Sequence, residues 1–502
     1  MVKGDIKIYA IFLIQFLVFT LLNGFGVLGS DDIYTIHSTS ENYLKSLSRA
    51  IHFEMQAPLY FLLMSFWREI SDTLFWAKLF HYISFLISSV FFYRILRMLV
   101  SNRKDLFILL LLFALHPFLF YISNDLRRYS LSLLFGVITL YYFIRIYVKG
   151  NNSKKDRIFL ILVSTAGIFN DYYHTFLLAS LGVGVVFSDV KNKWNYYLDM
   201  IIPVIGFLIL LRVILYQIGS LGDWPVSYIE SGLLLSSFKH ILFLLESQTY
   251  TFFNFGLAGN IVVRLALFAG LFYLIRIRPP EYPALYVSAA FMIVIFITVI
   301  FYLRSTSLLS LQYTAFYYPL IFLSFSLILV NAFKNDMVRA GVIIGFMAVS
   351  VAGYADIRSP RYKFHRSLKE MAVKLNNSYS DRVVFVFNPK DAAIINFYLD
   401  DQEKKVIGVP GKLDFEVYNY SARTVESEEQ IRVFLTGGFD ENSEFYMVFR
   451  SRHLTANIYN SNLLYRYLNE NFEFLSQENF DFFLILKYRA GSPAYSSTSA
   501  DQ

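Results

Sequence analysis

The residues best suited to carry chemistry are acids and a histidine that stand where long apolar stretches end. They are Asp31, Asp32, Asp125, Asp171, His174 and Asp223. Carboxylate and imidazole groups can transfer protons or bind a divalent cation. An ionisable group at the end of a membrane span is costly unless it is paired or hydrated, so a convergent set indicates a functional site. For any one of these aspartates, the alternative is a solvated carboxylate without a function.

The composition indicates that these residues are positioned by membrane spans. The 502 residues are 56% hydrophobic, 19% aromatic and only 17% charged, and the mean hydropathy is +0.46. This excludes a cytosolic enzyme, and the low charge with no sustained heptad excludes a coiled coil and a disordered chain. The chain contains no cysteine, so disulfides, thiolate nucleophiles and cysteine-bound metals are excluded as well.

The apolar residues fall into about eleven blocks that are long enough to cross the hydrocarbon core of a bilayer. They cover roughly residues 8–28, 76–98, 106–122, 129–148, 158–170, 174–190, 197–217, 256–275, 284–303, 314–332 and 338–355. The first block lacks a small-residue cleavage site of the Ala-x-Ala kind, so we interpret it as a retained anchor. The sequence therefore predicts a polytopic α-helical membrane protein.

The distribution of Lys and Arg predicts the orientation of these spans. Basic residues concentrate in alternate connections, for example residues 94–104 and 145–157, while the opposite connections carry few despite their greater length. The positive-inside rule places the N-terminus in the cytoplasm and everything after residue 355 outside it. Two shorter apolar stretches, residues 55–67 in the first outer loop (29–75) and residues 233–254, are predicted to lie in the outer membrane interface.

After residue 355 the composition becomes that of an ordinary soluble domain. Helical patterns at 362–375 and 391–399 alternate with β-rich runs at 383–387, 445–449 and 482–486. These patterns predict an extracytoplasmic α/β domain over residues 356–490, after a transmembrane domain over residues 1–355. The last residues, 491–502, are rich in Ser, Ala and Gly and are predicted to be a disordered tail.

Four short motifs follow one another in order and with consistent sidedness in the first 190 residues. They are Ser30-Asp31-Asp32-Ile33-Tyr34, Gln56-Ala57-Pro58-Leu59-Tyr60 ending at Trp67, Leu115-His116-Pro117-Phe118 leading to Asn124-Asp125-Leu126-Arg127-Arg128-Tyr129, and Tyr172-Tyr173-His174. The set resembles the integral-membrane GT-C glycosyltransferases, in the branch of the protein O-mannosyltransferases and the lipid A aminoarabinose transferase.

The sequence departs from the usual motifs of that family at several positions. Compared with those motifs, Asp32 replaces Glu, Gln56 replaces His, Ala57 replaces the first Pro, Asn124-Asp125 replaces Gln-Glu, and Gln312 replaces a frequent Arg. An arginine role at position 312 is therefore not carried over to this chain.

The resemblance implies a reaction and gives roles to individual residues. In this family the sugar arrives on a polyprenyl phosphate and is transferred with inversion at the anomeric carbon. The reaction then needs a base for the acceptor hydroxyl, and the resemblance gives this role to Asp31. The alternative for Asp31 is to cap the helix that follows, which Asp32 can do equally well. Asp32, Gln56, Asp125 and Tyr129 are the residues implied to support the acid or bind substrate.

The departing lipid phosphate requires positive charge, which arginine supplies well because a guanidinium can grip two phosphate oxygens. The candidates are Arg127, Arg128, Arg264 and Arg304. Arg264 lies within an apolar span, where an unpaired charge is costly; the alternative is that it pairs with Glu246 or reaches outward to the interface. Asp125 and His174, together with Asp31, are a candidate set for a divalent metal ion. Alternatively, Asp125 and His174 bond to each other or to Arg127.

The sequence predicts a membrane glycosyltransferase of a bacterial or archaeal type of plasma membrane. Its predicted partners are a polyprenyl-phosphate sugar donor, an extracytoplasmic acceptor and membrane lipids, with no nucleic acid and no nucleotide or redox cofactor. Two other classes compete with this reading. A lipid-linked sugar flippase or transporter should show half-chain repeats and mid-membrane breaks, and a non-catalytic subunit of an envelope glycan assembly machine would keep the spans without the acids.

Overall fold

The computed structural model describes residues 5–24, 28–151, 153–189, 193–220, 282–303, 311–332, 337, 341, 360–378, 382–399, 406–411, 413–417, 424–436 and 443–490. The chain divides into two compact units. The first comprises Met1–Gly26, Ser38–Ile51 and Met55–Ile357, and the second comprises Val27–His37, His52–Glu54 and Arg358–Gln502.

Helices dominate the chain up to Ala332. They are α1 (Asp5–Gly24), α2 (Ser30–Ser38), α3 (Tyr43–His52), α4 (Leu59–Arg68), α5 (Leu74–Leu99), α6 (Arg103–Ala114), α7 (Pro117–Asn124), α8 (Tyr129–Phe143), α9 (Lys154–Asn170), α10 (His174–Val186), α11 (Trp194–Asp199), α12 (Ile201–Ser220), α13 (Pro283–Leu303) and α14 (Tyr318–Ala332). A π-helical turn, Ile144–Val148, continues α8.

Within the described residues, three helices are long and apolar enough to cross a membrane. They are Leu74–Leu99, Tyr129–Val148 and Trp194–Ser220, and α6 with α7 makes a fourth if the two count as one span bent by 41°. Shorter apolar helices lie at Ile8–Leu21, His174–Val186, Pro283–Ile295 and Tyr318–Ile328. Apart from Gly341, the predicted spans at 256–275 and 338–355 and the predicted interfacial stretch at 233–254 lie outside the described residues. Every other predicted span coincides with a helix.

The helices of the first unit pack closely where small residues meet. α8 lies against α5 and α9, and α10 lies against α13. A Cβ atom on Gly184 of α10 would come within 2.5 Å of the carbonyl oxygen of Ala284 in α13. Small residues that let helix backbones approach in this way are typical of helix packing in membranes.

The short apolar stretch of the first outer loop forms α4, which begins directly after Pro58. At its end, the Trp67 indole stacks on that of Trp76 with the ring centroids 4.6 Å apart. Each indole N–H donates to the backbone oxygen of the other residue at 2.8 Å. This reciprocal contact fixes the end of α4 to the start of α5.

The second unit contains an α/β sheet built from the C-terminal part of the chain. Its elements are α15 (Pro360–Ser378), β1 (Val383–Phe387), α16 (Pro389–Tyr398), β2 (Ile407–Val409), α17 (Glu428–Thr436), β3 (Glu444–Arg450), α18 (Ser451–Thr455), α19 (Ser461–Asn471), β4 (Glu473–Phe480) and β5 (Phe483–Arg489). The strand order is β2-β1-β3-β5-β4. β1 is parallel to both β2 and β3, whereas β5 is antiparallel to β3 and β4.

Most of α2 belongs to the second unit although it lies far away in sequence. The backbone N–H of Leu28 donates to the Tyr398 hydroxyl of α16 at 2.7 Å. The His37 ring stacks on Phe415 with a centroid distance of 3.7 Å, and Tyr34 and Phe53 also pack on Phe415. The helix that carries the first acidic pair is therefore held by the C-terminal part of the chain. The predicted tail, residues 491–502, lies outside the described residues.

Candidate functional site

In the first unit, two short connections place an arginine against an aspartate. Arg128 ends the connection from α7 to α8, and Asp171 begins the connection from α9 to α10. The side chains are buried, with Arg128 6% and Asp171 2% exposed, and Arg128 Nε lies 3.4 Å from Asp171 Oδ2. Pairing offsets the cost of burying both charges.

Neighbouring groups complete what we call the Arg128–Asp171 cluster, which also includes Ser132 and Asn170. Ser132 Oγ donates to Asp171 Oδ2 at 3.0 Å, and Asn170 Nδ2 donates to Ser132 Oγ at 2.9 Å. The rings of Tyr129 and Tyr313 each lie 5.8 Å from the guanidinium carbon of Arg128. The guanidinium has five N–H donors, so its chemistry allows it to bind an anion in addition to Asp171.

Gln56, which also belongs to the first unit, contacts helix α12. Gln217 Nε2 donates to the backbone oxygens of Ile51 at 3.2 Å and Gln56 at 3.3 Å. α12 also packs against α9, the helix that ends directly before Asp171. Gln56 Oε1 is buried and accepts no hydrogen bond from the described residues. α12 thus links the predicted residue Gln56 to the segment that holds Asp171.

His174, a predicted metal ligand, is buried inside the helix bundle. Its Nε2 atom lies 3.2 Å from Thr139 Oγ1, and its ring packs against Gly167 of α9. Asp125 follows α7 directly. No group of three or more His, Cys, Asp or Glu side chains comes together within the described residues. A metal ion held by Asp125 and His174, together with Asp31, therefore stays a prediction.

The other predicted residues are placed as follows. Arg127 is buried beside Arg128, and Tyr129 is buried at the start of α8. Arg264, Arg304, Glu246 and Asp223 lie outside the described residues.

The sequence reasoning missed a second group of buried polar residues at the start of α5. Lys78 is only 4% exposed, and His81 lies one turn later. The two ring nitrogens of His81 lie 3.1 Å from the Tyr60 hydroxyl and 2.7 Å from Ser130 Oγ. A signal for this group does exist in the sequence, because Lys78 and His81 are ionisable residues inside a predicted span.

In the second unit, the two acids of the first motif have separate partners. Asp32 Oδ2 accepts a hydrogen bond from the backbone N–H of Gly29 at 2.7 Å. This is the backward-reaching contact of a capping box at the start of a helix. Asp31 instead lies 3.5 Å, through its Oδ1 atom, from Nζ of Lys390 in α16. Asp32 therefore fills the capping role that was open to either acid.

Nearby, burial raises the pKa of Tyr398 to about 12. The hydroxyl that receives the Leu28 N–H thus remains protonated throughout the physiological range, and the anchor of α2 does not titrate there.

Comparison with known proteins gives a match by structure and none by sequence. No model of a protein family matches the chain, and no curated protein matches its sequence. Crystal structures of ArnT from Cupriavidus metallidurans do match its fold. The apo structure superposes with a TM-score of 0.57 at 11% identity, covering 96% of this chain and 99% of ArnT. The structure bound to undecaprenyl phosphate gives a TM-score of 0.55 at 11% identity, covering 96% of this chain and 97% of ArnT.

The match spans both units of the chain, including the C-terminal sheet. The chain therefore has the fold of ArnT over nearly its whole length, which agrees with the fold that the resemblance in its motifs implies.

Proposed function

We propose that this chain is a membrane glycosyltransferase that moves one sugar from a polyprenyl-phosphate donor to an acceptor on the extracytoplasmic side. The observation that carries the proposal is the whole-length match to ArnT, which has been solved with undecaprenyl phosphate bound. In the proposed topology the N-terminus is cytoplasmic and the C-terminal sheet is extracytoplasmic. Since one fold can host several activities, the proposal also depends on the residues of the site.

Two buried arginines support a role in phosphate binding. Arg127 and Arg128 are 8% and 6% exposed and lie in a motif that corresponds to the family's arginine motif. A buried guanidinium interacts strongly with phosphate because little water screens the charge. We assign Arg127 and Arg128 to the phosphate of the donor lipid, with Tyr129 beside them. Arg264 and Arg304 remain proposed contributors to the same task.

Asp31 is the proposed base. The acceptor oxygen attacks the anomeric carbon from the side opposite the lipid phosphate, and its proton passes to the Asp31 carboxylate. The bond between the anomeric carbon and the phosphate oxygen breaks, and polyprenyl phosphate leaves with the electron pair. The product has inverted anomeric configuration. Asp32, Gln56 and Asp125 are proposed to support the acid or to bind substrate.

The test uses membranes that contain the expressed full-length chain. They are incubated with undecaprenyl phosphate carrying radiolabelled glucose, mannose, galactose or arabinose, and the transfer of label and the release of undecaprenyl phosphate are measured. We expect at least one donor to be consumed. We expect Asp31→Asn to lower its rate by about 100-fold or more, because proton transfer to a positioned base contributes factors of this order.

Glu69→Gln is a matched control, because Glu69 lies in the same outer loop and is exposed. It should leave the rate within about twofold, as surface substitutions usually have small effects. Failure to consume any of the four donors would contradict the proposed activity. Full activity of Asp31→Asn would contradict the assignment of the base.

A further inference from the structure

A lysine of the C-terminal sheet domain contacts the proposed base. Lys390 Nζ lies 3.5 Å from Asp31 Oδ1 and 5.1 Å from the centroid of the Tyr34 ring, one turn further along α2. The side chains of Asp31 and Lys390 are 30% and 24% exposed. Both residues belong to the second unit, so this contact lies within one compact body.

The fold of the sheet fixes the position of Lys390. β1 ends at Phe387, and Asn388 then turns the chain with a φ of +83°. The Asn388 backbone N–H donates to the Val409 oxygen at 3.0 Å, and its side-chain oxygen accepts from the Lys390 backbone N–H at 3.0 Å. Lys390 therefore lies in the first turn of α16, held between the ends of β1 and β2.

The next residue links this turn to the end of β3. The fully buried Asp391 forms an ion pair with Arg450, the last residue of β3. Because β1 and β3 are parallel neighbours and the chain leaves them in opposite directions along the sheet, this is the topological switch point of the parallel strands. Functional groups concentrate at such positions in α/β sheets.

The partner residue is held independently. Asp31 lies in the first turn of α2, whose start is fixed by the Leu28–Tyr398 and Gly29–Asp32 hydrogen bonds and whose end is fixed by the His37–Phe415 stack. The separation between Asp31 and Lys390 is therefore set by two anchored backbones, and the side-chain contact follows from them.

We infer that Lys390 is a positioning residue for Asp31, supplied by the C-terminal domain to the transfer reaction. The inference rests on the proposed function. The ammonium group restrains the Asp31 carboxylate in one orientation toward the acceptor hydroxyl, and small errors in the orientation of a reacting group lower the rate steeply. The C-terminal domain then takes part in the chemistry in addition to any role in acceptor access.

The test is a double-mutant cycle in the full-length protein, using the member of the four-donor panel that is consumed fastest. Lys390→Met should lower kcat about 10-fold and leave KM for the donor within about twofold, because orientation of the base affects the chemical step. Lys390→Arg keeps the charge and should restore kcat to within about threefold of the unmodified protein. In an Asp31→Asn background, measured by single turnover, Lys390→Met should cause no further loss, because there is no carboxylate left to orient.

Lys374→Met is the matched control. Lys374 belongs to the same unit, is similarly buried at 20% side-chain exposure, and pairs with Glu478 between α15 and β4. We expect this variant to retain kcat.

Three results would overturn the inference and leave the proposed function intact. They are a neutral Lys390→Met, a loss of equal size in the Asp31→Asn background, and an equal loss in Lys374→Met. A structural role for Lys390 would give the second or third result, because misfolding lowers activity whether or not Asp31 is present. Full activity of Asp31→Asn would overturn the inference and the assignment of the base together.

Discussion

Arg128 balances the buried charge of Asp171, and in the proposed function it also binds the donor phosphate. Its Nε atom faces Asp171, and the guanidinium carbon lies 5.8 Å from the ring centroids of both Tyr129 and Tyr313. Removing one partner of a buried pair leaves the other charge uncompensated, which is more costly than removing both. A single substitution of Arg128 therefore cannot separate its structural role from ligand binding.

A pair of substitutions can separate the structural role of Arg128 from ligand binding. We expect Arg128→Met to destabilise the first unit by about 3–5 kcal/mol. Combining it with Asp171→Asn should recover most of this loss, because neither charge then remains. If Arg128 binds the donor phosphate, the stable double variant will still bind undecaprenyl phosphate at least about 10-fold more weakly, since a charge-assisted contact is missing. Thermal unfolding in detergent and lipid binding measure the two effects, with Asp171→Asn alone as the reference. Recovery of both stability and binding would assign Arg128 to the fold only.

The sequence predicts the identity of many buried polar residues better than their partners. Ionisable residues near span ends can be recognised from spacing alone, which is why Asp31, Arg128 and Asp171 stand out. The partner of each depends on how helices pack, and helical periodicity does not encode that. Asp32 and Asp31 are interchangeable in sequence, yet the structure gives one to the Gly29 backbone and the other to Lys390.

Among the helices, α9 and α10 meet where a glycine faces a histidine. A Cβ atom on Gly167 would lie 2.5 Å from the His174 ring. We predict that Gly167→Ala destabilises the first unit by about 1–3 kcal/mol, because overpacking forces the ring or the backbone to move. Gly219→Ala is the matched control in α12, where a Cβ would have no neighbour within 4 Å. Thermal unfolding of both variants in detergent gives the comparison, and equal stability of the two would contradict the close packing.

The elements that the sequence predicts are those with strong patterns. β1, β3 and β5 are found at the predicted runs because each is a continuous apolar stretch. β4 was not predicted, because it is an edge strand whose side chains are nearly all exposed and do not alternate. β2 has only three residues, too few for a period to be detected. α17 and α19 are amphipathic and short, and the predictions left them out.

At the scale of the whole molecule, the second unit contains a buried histidine that links its stability to pH. His453 in α18 is 5% exposed and packs against the rings of Phe387 and Tyr459. Burial lowers its pKa to about 4, with a smaller contribution from Arg450 and Arg452 that Asp391 opposes. The folded unit therefore holds His453 neutral at a pH where the unfolded chain would protonate it.

The sign of the pH dependence follows from this depressed pKa. The unfolded chain binds more protons than the folded one between about pH 6.5 and 4, so stability falls as the pH is lowered through this interval. The His453 contribution amounts to about 3 kcal/mol over the full interval. We expect the β1 and β3 peptides of the full-length protein to lose hydrogen-exchange protection as the pH falls, after correction for intrinsic exchange.

His453→Gln provides the control for this experiment. Glutamine does not titrate, whereas the other titratable side chains of the unit are unchanged. The difference between the two proteins isolates the histidine. A pH dependence of the same size in both would show that His453 does not cause it.

Which segments of the chain belong to each unit can be predicted from the sequence only in part. The composition changes from apolar to soluble near residue 355, close to Arg358, where the second unit resumes; the predicted domain bounds stay a prediction. The inclusion of α2 in that unit was not anticipated, because it depends on contacts such as Tyr34 and His37 with Phe415. An aromatic residue gives no indication in sequence of which distant ring it will meet.

The anchoring of α2 also has a consequence for how the protein is made. Leu28 and Tyr398, which hold the start of this helix, are separated by 370 positions along the chain. During synthesis α2 is produced among the first residues, but its anchoring partners are translated only near the end. A ribosome that stalls before α16 would release a product that still carries Asp31 but cannot fix it in place. The proposed transfer activity should therefore be absent from truncated copies and should appear only after α16 has been synthesised.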